Sequence, residues 1–150
     1  MTEANTPAKP RFWRGPVASV RQAKLIIGWA CWPLMVLGLS PILQGASAFE
    51  RGDGGHATAS LLTSAMLVGI PAWLMKTKKS PAAIALLVLT GLGLLLGAVA
   101  WIALIPSEGW GFAAAFSLVV LFWAALTMQA WRALQAVRAL PKLAIVSEFS

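Results

Sequence analysis

The sequence predicts an all-α polytopic membrane protein, with four transmembrane helices in an up-down-up-down bundle and both termini on the cytoplasmic side. Three observations predict it. The chain is 59 % apolar and only 11 % charged; a soluble domain carries about 25 % charged residues, and one of this size leaves too much surface wet to hide such a composition. Four apolar stretches are separated by short polar gaps, and each approaches the ~20 residues needed to cross a hydrocarbon core. Basic residues gather in alternate gaps, as they do on the cytoplasmic side of membrane proteins.

Residues 1–15 read as a flexible cytoplasmic arm containing Pro7 and Pro10. Residues 11–24 predict a basic helical segment that either lies along the membrane surface or projects as a docking helix, with Pro16 suited to a first helical position. The first span, 25–43, holds no charge. Pro33 near its middle removes one backbone hydrogen bond, frees the carbonyl of Trp29 and predicts a kink, and Pro41 is expected to end the span. Residues 45–56 form a glycine-rich outer loop. The second span, 57–75, is weaker, because Thr58, Ser60, Thr63, Ser64, Gly69 and Pro71 dilute it, so it needs its neighbours in order to insert. Pro71 predicts a second kink by freeing Leu67.

The third span, 82–105, is rich in Leu, Ile and Val and should insert unaided. A turn at 106–108 leads to the fourth span, 109–131. Residues 132–150 form a cytoplasmic extension that continues the fourth helix until Pro141 stops it. Connections this short imply antiparallel neighbours within a single membrane domain.

Orientation follows from the cations. Lys9, Arg11, Arg14, Arg21 and Lys24 precede the first span; Lys76, Lys78 and Lys79 separate the second from the third; Arg132, Arg138 and Lys142 follow the fourth. The other two gaps hold Glu50, Arg51, Asp53 and Glu108. That alternation requires an even number of crossings, independently of hydropathy. Arg21, Lys24, Lys76, Lys78, Lys79 and Arg132 are therefore candidate lipid-headgroup contacts. The net charge of +7 reflects topology rather than nucleic-acid binding. Trp13, Trp73 and Trp131 fall near the cytoplasmic interface and Trp110 near the outer one, while Trp32 and Trp123 lie deeper and are expected to face protein. Ala46-Ser47-Ala48 resembles a leader cleavage site, but the apolar run before it is too long and starts too far into the chain.

Two small-residue patterns stand out. Gly93 and Gly97 on the third span let helix backbones approach closely, within this bundle or across a dimer seam. Ser60, Thr63 and Ser64 share one face of the second span, where hydroxyls bond neighbouring helices or line a polar path. Glu50, Asp53 and His56 are metal-ligand types, but a flexible loop does not fix the geometry a metal site needs. Cys31, the single cysteine, is read as a small buried hydrophobe.

The spans contain no Asp, Glu, Lys, Arg or His. That argues against proton-coupled transport, against histidine-ligated haem and against acid–base catalysis. No catalytic residue, cofactor or metal is expected. The expectation is a small non-catalytic membrane protein, an accessory, assembly or stabilising subunit in a bacterial inner membrane. Its partners would be the lipid bilayer and other membrane subunits or copies of itself. The alternative is a homo-oligomeric channel or facilitator for a neutral or apolar solute. A lysis or stress pore is compatible with the charge pattern, though nothing in it points there.

Overall fold

The computed structural model describes residues 15–148, all-helical apart from short connections, with four helices long and apolar enough to span a membrane. The expected flexible arm, with Trp13, lies outside the described residues except for Gly15. Helix α1 runs Val20–Leu37, α2 Leu39–Glu50, α3 Gly54–Thr77 and α4 Ser80–Glu148. The first span is α1 and α2 together, α3 is the second, and α4 supplies the last two as arms Ser80–Ala103 and Gly111–Ile145.

The first helix starts later than Pro16 suggested. Ser19 is its N-cap, with Oγ accepting from the Gln22 amide at 3.1 Å, and Gln22 Oε1 accepts in turn from the Ala18 amide at 2.9 Å. The first bond satisfies one of the donors that a helix start leaves open, and the second ties the residue before the cap to the first turn. Pro16 sits in the extended segment before it.

Pro41 does not end the first span. The helix runs through Pro33, is interrupted at Gly38, and resumes as α2 through Glu50. Pro41 falls in the first turn of α2, where its missing N–H costs little, and the break lies where its ring would press on the Leu37 carbonyl. The glycine-rich loop shrinks to residues 51–53. Gly45 and Ala48 are buried on α3, and a Cβ at Gly45 would lie 3.2 Å from Leu61 Cγ and 3.3 Å from the Ala57 carbonyl. Small residues there serve close packing, and α2 extends because α3 covers it.

The buried residues of α3 are Ala57, Ser60, Ser64, Leu67, Pro71 and Leu74. Their alternating steps of three and four make a coiled-coil seam. Gly45 meets Ala57 and Leu61, while Gly38 meets Leu67 and Val68, so partners descend along α3 as α2 ascends. In α4 the same register joins Gly93 to Trp123, Gly97 to Val120, and Trp101 to Ala113 and Ser117. The reversal is concentrated at Gly109, with φ 81° and ψ 174°, a conformation essentially confined to glycine. Pro141 does not stop the helix, which continues past it to Glu148.

One core joins α1, α3 and both arms of α4. It contains Ala23, Ile27, Cys31 and Leu34 of α1, Leu67 and Leu74 of α3, Ala82, Ala83 and Leu86 of the first arm, and Leu126, Ala130, Leu134 and Val137 of the second. These positions adjoin the segments bearing Arg21, Lys24, Lys76, Lys78, Lys79 and Arg132. At the other end packing thins. Among the described residues 91–125, only Ala113 is buried, and α2 touches α1 and α3 but not α4.

Candidate functional site

The residues singled out from sequence do not converge on one site. Gly93 packs directly on the Trp123 indole, which would collide with any Cβ there. Gly97 is looser, with Val120 Cγ2 at 3.9 Å from a built Cβ. Trp123 is half-buried in this contact, whereas Trp32 is 59 % exposed and faces outward, contrary to the expectation from its depth. An indole at that position has apolar surroundings in lipid as well as in protein, so depth alone does not choose between them.

The hydroxyl stripe divides. Ser60 and Ser64 lie in the α3 seam, and Ser64 Oγ donates to the Gly38 carbonyl at 2.7 Å. Thr63 is exposed, and its hydroxyl donates to its own helix at Ala59, 2.9 Å away. Thr90, Ser117 and Thr127 likewise donate to carbonyls of Leu86, Ala113 and Trp123. Pro71 is buried in the seam and Pro33 half-buried. In the outer connection Asp53 is the N-cap of α3, its Oδ1 accepting from the His56 amide at 3.0 Å. Among the described residues no three His, Cys, Asp or Glu come together.

The cations also divide. Arg21, Lys24, Lys76, Lys78 and Lys79 are exposed. Arg132 is half-buried, and its Nη1 donates to the Gly15 carbonyl at 2.9 Å and to Gln135 Oε1 at 3.1 Å. It therefore holds the start of the described chain against the last span.

Arg132 also closes one end of a cavity of about 760 Å³, within the usual 300–1,000 Å³ range of ligand pockets. Ile26 and Trp29 of α1, Leu87 and Leu94 of the first arm, and a face of the second arm from Ala124 to Arg132 line it. Trp29, Met128 and Trp131 are 57 %, 71 % and 49 % exposed, so the mouth opens sideways from the helices. The wall is apolar apart from Thr127, whose hydroxyl is already used, and Gln129 and Arg132. Gln129 Oε1 and Arg132 Nε and Nη2 are buried and have no hydrogen-bond partner among the described residues.

Sequence reasoning missed this cavity, and it missed Gln129. The available signal was their spacing: Gln129 and Arg132 are three apart, hence neighbours on one helix face, at the point where an apolar span meets its basic flank. It also missed the Trp101 Nε1 bonds to the Ala113 carbonyl at 3.1 Å and Ser117 Oγ at 3.0 Å, although an indole N–H in apolar surroundings needs an acceptor. Compared with protein-family models, with characterised proteins and with solved structures, the chain matches none.

Proposed function

We propose that this chain is a small non-catalytic integral membrane protein that works by packing against other membrane proteins, as an accessory, assembly or stabilising subunit. The observation that carries this reading is the uneven burial. In the most apolar stretch of the last span 11 % of residues are buried, against 33 % in the first span. Leu92, Leu95, Leu96, Val99 and Ile102 of the first arm and Leu118 and Leu121 of the second stand exposed, forming an apolar wall that no other described part of the chain covers. The proposed topology is the up-down-up-down bundle with both termini cytoplasmic, in a bacterial inner membrane. The descending contact registers support the alternation, and the cation distribution supports the orientation.

The test is isolation of the tagged protein at native expression level in mild detergent. One or more larger membrane proteins in fixed stoichiometry are expected to copurify. A discrete homo-oligomer with no partner would overturn the reading and favour the channel or facilitator.

That alternative needs a wetted path, and the spans' hydroxyls offer little to it, since Thr63, Ser64, Thr90, Ser117 and Thr127 all donate to backbone carbonyls. In a Cys31→Ala background, Ser64→Cys should resist membrane-impermeant thiol reagents from both sides. Rapid labelling from either side would support the aqueous path.

A further inference from the structure

We propose that residues 15–17 form a strap, clasped shut by Arg132, that an anionic lipid surface releases. In the closed state Arg132 holds the Gly15 carbonyl. In the open state its guanidinium turns outward onto headgroup phosphates, and the strap lifts from the last span. This inference rests on the clasp alone and stands whether or not partner subunits copurify.

The closed state serves the guanidinium poorly. Nη1 donates to the Gly15 carbonyl at 2.9 Å and to Gln135 Oε1 at 3.1 Å. Nε and Nη2 have no partner among the described residues and are too enclosed for a water to reach them. Gln129 Oε1, three residues earlier on the same helix, is equally enclosed and does not serve them. Buried donors without acceptors are costly, charged ones above all. An arginine stem is long enough to carry its head to the membrane interface, where phosphate oxygens accept from the Nε–Nη2 edge in pairs. The closed state keeps the Gly15 and Gln135 bonds, and the open state gains acceptors for the rest of the fork. Two arrangements balanced in this way form an element that a ligand can bias.

The strap is lightly held. Gly15 and Pro16 are exposed, and Val17 is half-buried at the edge of the core. Among the described residues, the bond from Arg132 is the one hydrogen bond that reaches residues 15–17. Gly15 has a φ of 110°, where L side chains are strained, so the bend that brings its carbonyl to Nη1 depends on glycine. The cap of α1 begins further on, at Ser19, and Ala18 is bonded to Gln22. Lifting residues 15–17 therefore leaves the start of α1 intact. The trigger is local too. Arg21, Lys24, Lys76, Lys78 and Lys79 stand exposed at the same end of the bundle, and such cations gather anionic lipid around them.

The experiment is a spin-label distance measurement by double electron–electron resonance on the full-length protein. Labels are placed at Pro16→Cys and Arg138→Cys in a Cys31→Ala background, in nanodiscs of phosphatidylcholine with or without phosphatidylglycerol. One narrow short distance is expected in phosphatidylcholine. Phosphatidylglycerol should add a longer, broader one and raise the open-to-closed ratio about tenfold, the scale of one charge-assisted hydrogen bond. Arg132→Met removes the clasp, and Gly15→Val forbids the bend while leaving Arg132 intact. Both should give the long distance in either lipid. Arg132→Met should also unfold no more readily than its parent, because an apolar side chain leaves no buried donor unserved. If Arg132→Met does not fold, Gly15→Val and the lipid comparison still decide. A distribution unchanged by both variants would overturn the clasp. Equal distributions in the two lipids, or opening by inorganic phosphate in phosphatidylcholine alone, would overturn the lipid trigger, the last by reducing it to a free-anion contact.

Discussion

Replacing Gly93 with leucine should pry apart the two arms of α4, whereas the same change at Gly91 should be close to neutral. The two glycines lie two residues apart on one helix and differ in what they face. A Cβ at Gly93 would run into the Trp123 ring, and one at Gly91 meets nothing within 4 Å. Overpacking costs about 1–3 kcal/mol, sometimes more, and a bulky indole has little room to retreat. An outward substitution shifts stability by no more than about 0.5 kcal/mol. Adding Trp123→Ala to Gly93→Leu should recover much of the loss, because residues in contact are not additive. Loss of helicity on titrating denaturing detergent into mild-detergent micelles measures all three. Equal sensitivity of Gly91→Leu and Gly93→Leu would show that the arms are not held by this contact.

Gly38→Val is expected to be the second large effect. A Cβ there lies 2.6 Å from Val68 Cγ2 and 3.2 Å from Leu67 Cβ, so α2 and α3 must part to admit it. The same shift would draw the Gly38 carbonyl away from Ser64 Oγ, adding the loss of an interhelical bond of about 0.6 kcal/mol to about 1–3 kcal/mol of overpacking. Val68→Ala should partly restore stability, since it removes the nearest obstacle. Gly28→Val, with nothing within 4 Å of its Cβ, serves as the control in the same titration. If Val68→Ala fails to rescue, the side-chain clash is not the cause.

The helical class and the number of spans were legible because insertion depends on length and summed hydropathy, which are local. The ends of elements were less so. Pro41 looked like a terminator and Gly45 like loop, yet Gly45 is buried on Ala57 and Leu61 and the helix holds to Glu50. Whether a glycine marks flexibility or close approach depends on what stands opposite, and that partner lies elsewhere in the chain. The capping residues Ser19 and Asp53 carried a readable local signal in Ser19-x-x-Gln22 and in an acid before a helix. The cavity was the least legible feature. Its wall draws on three separated segments, and Arg132 resembles the other cations until burial sets it apart.

The thinning of contacts away from the shared core also bears on motion and entropy. Ile27, Leu34, Leu74 and Leu86 are fully enclosed at one end of the molecule, while α2 and the α4 hairpin stand clear of each other at the other. Regions with few buried contacts open most easily, so fluctuation should be graded along the helices, small where the core lies and larger toward Gly109. Anything that seats between the free ends would have to quiet that splaying as well as cover apolar surface. Part of its binding energy would go into order. The tightness of such an assembly would then depend as much on how stiff the hairpin already is as on the fit of the surfaces that meet.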